Sequence, residues 1–173
     1  PTTGIDQVWV SDITYLKVCN QYLLLIVVMD RHSRRILGWT LSHTRTVDDT
    51  LRVLKRAIKS RQAPTDIIFH TDRGIEYTGL RFQEALRSHG LHSSINRVGV
   101  CTDNAYMESF FHTLKAELIR GRVFNTTKEL RLALNSYINQ FYNHKRLHSG
   151  IGYCAPSEYE RMDVQWGARV ICR

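Results

Sequence analysis

Hydrophobic and polar positions fall into two regimes along the chain. From Val8 to His43 the apolar residues come in short runs rich in β-branched and aromatic side chains. Val8–Val18 (Val-Trp-Val-Ser-Asp-Ile-Thr-Tyr-Leu at its start) predicts a strand. Asn20-Gln21 predicts a turn, Tyr22–Asp30 an apolar central strand, and Arg35–His43 a third strand, so that short turns join an antiparallel meander. The longest apolar run, Tyr22–Met29, has eight residues. That suits a buried strand and falls short of the roughly 20 residues of a membrane span.

Past Thr46 the spacing becomes helical. Thr46 is a candidate N-cap with Asp48 and Asp49 in the first turn, and Val47, Leu51, Leu54 and Ile58 recur on one face. Pro64 ends this helix, and Asp66–His70 holds a short buried strand. Leu80–His89 predicts a second helix stopped by Gly90. Leu91–Ile95 is a fifth strand. A third helix is predicted from about Thr102-Asp103-Asn104 past Leu118. A fourth opens on a capping box, Thr126 with Glu129, and is expected to bury Leu130, Leu134, Tyr137, Ile138, Phe141 and Tyr142. Of Phe110 and Phe111, one is expected to pack inward and the other less so. The sum is an α/β fold with a mixed sheet.

Composition narrows the partner. The 173 residues suit one domain with a real core. Lys and Arg number 24 against 16 Asp and Glu, a net charge of +8. That balance points either to a polyanion, most simply nucleic acid, or to a plain basic surface. The four cysteines include no C-x-x-C pair, so they offer neither a zinc knuckle nor a redox motif, and a reduced cytosol fits them. No signal peptide opens the chain. It begins on Pro1, which fits a piece of a longer protein.

Three acids stand out against this background. Asp12 lies mid-strand in a segment shaped for burial. Asp72 follows a buried strand in His70-Thr71-Asp72-Arg73-Gly74, where Gly74 permits a sharp turn. Glu108 lies in an apolar stretch before Ser109-Phe110-Phe111. A carboxylate in an apolar element is costly unless compensated, and a divalent cation is one compensation. Hard oxygen donors select Mg²⁺ or Mn²⁺ over zinc. Each acid taken alone has an ordinary reading as a salt-bridged or exposed side chain.

The ordered segments Trp9-Val10-Ser11-Asp12-Ile13-Thr14-Tyr15, His70-Thr71-Asp72-Arg73-Gly74 and Asp103-Asn104-Ala105 leading to Glu108-Ser109-Phe110-Phe111 carry a family resemblance. They resemble the retroviral-integrase-like catalytic core of bacterial insertion-sequence transposases, whose pattern is Asp, Asp, 35 residues, Glu. Here 107 − 72 = 35 residues separate Asp72 from Glu108. The family's basic residue seven positions after the Glu is matched by Lys115. Asp30-Arg31, Ser33-Arg34-Arg35-Ile36, Gly38-Trp39, Tyr142-Asn143-His144-Lys145-Arg146-Leu147-His148 and Ala155-Pro156 match further family segments. The likeness runs from about Gln7 to Tyr159.

The resemblance implies an RNase-H-like fold, a five-stranded mixed sheet flanked by helices. Residues 1–160 would form the core and 161–173 a C-terminal tail, with the family's N-terminal DNA-binding region lying outside this sequence. It implies a polynucleotidyl transferase in which Asp12, Asp72 and Glu108 hold two Mg²⁺ or Mn²⁺ ions, with Asp12 shared between them. Water would cut at a transposon end, and the freed 3′-hydroxyl would then attack target DNA. Homo-oligomers on DNA in a bacterial cytoplasm, at the nucleoid, complete the picture.

DNA contacts are expected from Lys115, Asn104, His70, Arg146 and Lys145. Asn104, Glu108 and Lys115 fall on one helical face. Asn104 has an equal reading as a helix cap, and Asp103 as a helix N-terminal acid. His70 shares a strand face with Asp72 and suits either a phosphate contact, a proton relay or a structural histidine. His144 and His148 read as structural or DNA-facing, since no acidic or Cys partner completes a zinc site. Rival readings are a retroviral-type integrase or nuclease, a DNA-binding module without activity, and a scaffold that oligomerises through its apolar C-terminal helix.

Overall fold

The computed structural model describes residues 2–62, 64–95 and 105–171, with side chains up to 163. Three strands open the chain: β1 (Val8–Val18), β2 (Gln21–Asp30) and β3 (Ile36–Ser42). Helix α1 (Val47–Ser60) leads to β4 (Ile67–Thr71), the short α2 (Ile75–Thr78), α3 (Leu80–Ser88) and β5 (Leu91–Ile95). Helix α4 (Ala105–Leu114) continues into a π-turn, Lys115–Ile119. Helix α5 (Thr127–Ser136) likewise runs into a π-turn, Tyr137–Tyr142. A 3₁₀ turn at Ser149–Ile151 precedes α6 (Pro156–Ile171), which passes residue 160 without a break. The predicted start of α4 at residues 102–104 lies outside the described residues, as do Asp103 and Asn104.

The sheet order is β3-β2-β1-β4-β5. β1 pairs antiparallel with β2 and parallel with β4; β2–β3 is antiparallel and β4–β5 parallel. The middle strand is therefore β1, and the apolar β2 lies beside it. From Leu23 to Met29 β2 is apolar, because both its faces are covered there. Leu23, Leu25, Val27 and Met29 pack with Met107, Phe110 and Leu114 of α4 and with Leu130 and Leu134 of α5. Ile26 and Val28 pack on the other face with Val53, Leu54 and Ala57 of α1 and Phe82 and Leu86 of α3. Alternation divides β1 in the same way. Val10 and Leu16 face α4, while Trp9 and Ile13 face α1, so Asp12 takes the α4 side.

The caps follow the sequence. Thr46 Oγ1 accepts from the Asp49 N–H at the start of α1. At α5 the Thr126 hydroxyl accepts from Glu129 N–H, and the Glu129 carboxylate accepts from Asn125 N–H. Gly90 takes φ +70° after α3. Two expectations need correction. Phe141 is 41% exposed. The π-turn inserts a residue into the helical repeat, so the inward positions become Tyr137, Ile138 and Tyr142, and Phe141 rotates outward. Phe110 and Phe111 are both buried, their rings 5.5 Å apart.

Candidate active site

Parallel pairing sets Val10 opposite His70. Two residues further along both chains, Asp12 and Asp72 emerge abreast on the same side, because side chains alternate along a strand. That side is the one on which α4 packs, and Glu108 occupies the first turn of α4. Glu108 is exposed, Asp12 and Asp72 are half-buried. One oxygen of Asp12 accepts from Ile13 N–H at 2.8 Å, and one of Asp72 accepts from Gly74 N–H at 3.0 Å. Burial, opposed by the Ile13 N–H and reinforced by the negative charges of Asp72 and Glu108, pushes Asp12 up to about 6. The three acids therefore share one electrostatic site.

Arg45 opposes this repulsion, and no motif in the sequence singles it out. It lies 3.7 Å from Asp72 and 2.6 Å from Glu76, and its Nε donates to the Glu76 carboxylate at 2.8 Å. Glu76 is buried, with its Oε2 lacking a partner among the described residues. An acid four residues after Asp72 in the apolar Ile75–Tyr77 step was the available signal. Gly74 also has a different reason from the one expected. Its φ is −57°, open to any residue, but a Cβ there would collide with the Glu76 carboxylate and meet Arg45 Nη2 at 2.8 Å. Beneath Asp12, the Ser11 hydroxyl donates to Val27 C=O at 2.9 Å and pairs with the buried Tyr77 hydroxyl at 2.9 Å.

The other sequence candidates scatter. Lys115 is exposed at the start of the π-turn, two helical turns beyond Glu108 and on the same flank. His70 pairs through Nδ1 with Ser94 Oγ at 3.0 Å, and its Nε2 is buried without a partner among the described residues. Lys145 is exposed. Arg146 is held by Glu117, with Nε–O distances of 2.9 and 3.1 Å and an Nη2 contact of 2.8 Å. Asn104 lies outside the described residues. Among the described residues, no three His, Cys, Asp or Glu side chains stand close enough to form a ready metal cage. The donor set still fits a hard divalent cation: three carboxylates on one side of the sheet, mutually repelling, with Arg45 the opposing cation.

Comparisons with known families and structures bear on the family and the fold. Two family models, both described as integrase core domain, match residues 3–101 and 108–164. The transposase InsF for insertion sequence IS3A of Escherichia coli (strain K12) is 38% identical over 162 residues, covering 94% of this chain and 56% of that protein. The transposase for insertion sequence element IS904 of Lactococcus lactis subsp. lactis (strain IL1403) is 41% identical over 161 residues, covering 92% and 63%. The chain thus spans little more than half the length of these curated relatives.

Among solved structures, a simian T-cell lymphotropic virus intasome with PP2A regulatory subunit B56 gamma gives a TM-score of 0.77 at 21% identity, covering 92% of this chain and 55% of that one. The HTLV-2 integrase catalytic core with magnesium, in trimeric form, gives 0.70 at 16% identity, covering 92% and 99%. At these identities the likeness establishes the fold, which is RNase-H-like, as the sequence led one to expect. Among the described residues no helix is long and apolar enough to cross a membrane. With family models across most of its length and the sheet and helices of integrase cores, the chain belongs to the integrase core domain family.

Proposed function

We propose that this chain is the catalytic core of an insertion-sequence transposase that cuts DNA at the element's ends and joins the freed strand to target DNA. The observation that carries the reading is the electrostatic coupling of Asp12 to Asp72 and Glu108, three acids from β1, the end of β4 and α4. Asp12, Asp72 and Glu108 would hold two Mg²⁺ or Mn²⁺ ions, with Asp12 shared. When bound, such a pair activates the attacking oxygen and stabilises the leaving one in a phosphodiester displacement. No protein nucleophile is required. Water attacks phosphorus, the P–O3′ bond breaks and a 3′-hydroxyl is released; that hydroxyl then attacks a second phosphodiester and displaces its 3′-oxygen.

The chain's own side chains orient this chemistry. Lys115, on the Glu108 flank, supplies a point charge for a DNA phosphate. His70, whose Nε2 has no hydrogen-bond partner among the described residues, is a further proposed contact to a phosphate oxygen. Asn104, Lys145 and Arg146 are further proposed DNA contacts. Arg45 balances the acids in the absence of cations. The working form is a homo-oligomer on paired DNA ends, in line with the HTLV-2 integrase cores solved as dimer and trimer, in the bacterial cytoplasm at the nucleoid. Light scattering with and without end DNA measures the oligomer directly.

Two readouts test the active site. Labelled end DNA with Mn²⁺ should be nicked or joined by the wild type and not by Asp72→Asn, and chelator should abolish the activity. Equal activity in both proteins, or activity in excess chelator, would overturn the proposal. Independently, Mn²⁺ at a hundred times its Kd should stabilise the wild type by about 2.7 kcal/mol. Asp12→Asn should lose most of that gain.

A further inference from the structure

A second polar cavity, of about 500 Å³, opens on the far flank of α4. Tyr106, Ser109 and Thr113 line it. At 100° per residue these lie on one side of the helix, with Glu108 and Lys115 on the other. Phe110 and Tyr142 form its apolar back, and the rest of the wall comes from Arg34, in the β2–β3 turn, and from residues between Arg146 and Tyr153.

Its polar groups are donors in excess. Arg34 lies over the Tyr106 ring at 3.6 Å, and Arg31 meets the same ring at 5.1 Å. Arg34 forms no ion pair among the described residues; burial lowers its pKa, and Tyr106, Tyr142 and Arg31 are the side chains that act on it most. Arg34 Nε is buried without a hydrogen-bond partner among the described residues, and so is His148 Nε2. Arg146 Nη1 stands 3.4 Å from His148 Nδ1. An arginine N–H only donates, so Nδ1 accepts and the neutral ring carries its proton on Nε2. Two buried nitrogens thus lack hydrogen-bond partners among the described residues at one cavity, with the Tyr142 backbone acting on the His148 ring. An unpaired buried donor costs about 1–3 kcal/mol. Glu117 is engaged by Arg146 and by the Tyr137 hydroxyl.

The frame around these donors is built rather than incidental. Arg34 has φ +65° and Tyr153 φ +56°, left-handed backbone that non-glycine residues adopt at a cost. The fully buried Asp30 holds the Arg34 turn in place: its Oδ1 accepts from His32 N–H and Ser33 N–H. A phosphate satisfies such a set, because its oxygens accept from guanidinium, imidazole and hydroxyl groups together. The cavity exceeds a lone phosphate, and Tyr153, 74% exposed at its rim, offers a ring face to a neighbouring base.

We propose that this cavity is a second phosphate-binding site, in which Arg34 and His148 grip a backbone phosphodiester of the bound DNA on the flank of α4 opposite the carboxylates. The proposal rests on the reading of the chain as a DNA-acting core.

The test is fluorescence anisotropy of labelled DNA with the whole chain in chelator, which removes metal-dependent binding at the carboxylates. Three variants are compared with the wild type. Arg34→Gln removes the guanidinium. Ser149→Asp places a negative charge at the exposed mouth of the cavity, with its urea midpoint checked against the wild type. Arg56→Gln removes an equal charge elsewhere. Arg34→Gln and Ser149→Asp should each weaken binding about tenfold, and Arg34→Gln should lower the salt slope by about one. Arg56→Gln should change affinity less than about twofold. Wild-type affinity in both cavity variants, or an equal loss in Arg56→Gln, would overturn the proposal while leaving the DNA-acting reading intact. A wild type that does not bind DNA would overturn both. Millimolar inorganic phosphate separates the sources. If it stabilises the wild type but not Ser149→Asp, and DNA affinity is the same in both, the site takes free phosphate and the DNA assignment fails.

Discussion

Single side chains at this site have reasons that single letters do not carry. Asp12, Asp72 and Glu108 were singled out by spacing and flanking motifs, and they lie on a common side of the sheet. Arg45 and Glu76 were not, because their meaning lies in one contact across 31 residues of chain. Gly38 is a similar case. It sits in a segment matched to the family, yet its reason is the close approach of α1. A Cβ there would stand 2.9 Å from Val53 C=O and 3.1 Å from Ala57 N. Both are backbone atoms of a packed helix, so neither yields cheaply. Gly38→Ala should therefore cost about 1–3 kcal/mol, read as a lowered urea midpoint with an unchanged m-value.

Between elements, alternation and caps carried most of the information. The five strands and helices α1, α3 and α5 were readable because each buries one repeating face or opens on a capping residue. The π-turns were not, since their i, i+5 repeat mimics a helical stripe until it slips and turns Phe141 outward. Tertiary polar ties were also hidden. Asn143, 5% exposed beyond the second π-turn, accepts from Ile36 N–H at 2.9 Å and donates to Ile36 C=O at 3.0 Å, fastening the end of α5 to the start of β3. Asn143→Ala would leave both backbone groups buried and unpaired, costing about 2–4 kcal/mol. Helix α6 is tied in the same manner. Glu160 bonds to Arg61, to Arg35 at 2.6 Å and to the Ser33 hydroxyl at 2.6 Å, and these donors hold its carboxyl below the usual range against the cost of burial. Glu160→Ala should cost about 3–5 kcal/mol by leaving Arg61 buried beside an incomplete set of partners. Chemical denaturation of both variants checks these values, and an effect below about 1 kcal/mol in either would show the tie to be dispensable.

Across the whole molecule, the fold brings two half-buried groups with opposite acid responses to the two flanks of α4. His148 is lowered from 6.5 to about 4, first by burial and then by Arg146 and Arg34, against the backbone tie at Tyr142 and the charge of Glu117. Between those values the unfolded chain binds a proton that the folded chain refuses, so this group's contribution to stability falls as pH drops from 6.5 towards 4. Asp12 behaves in reverse. Its folded value of about 6 lies above the ordinary 3.8, so the folded chain binds the extra proton and gains stability as pH drops from about 6 to 4. Each effect is about 2–3 kcal/mol at full extent, and their windows overlap, so in the wild type they largely cancel. Single variants separate them. Urea unfolding in chelator at a series of pH values should give Asp12→Asn a stability that falls more steeply than the wild type on acidification. His148→Gln should give one that rises relative to the wild type over the same range. Above pH 7, Asp12→Asn should also exceed the wild type in stability, since the neutral amide avoids the repulsion from Asp72 and Glu108. Parallel pH profiles for all three proteins would mean that neither group titrates differently in the folded and unfolded chains.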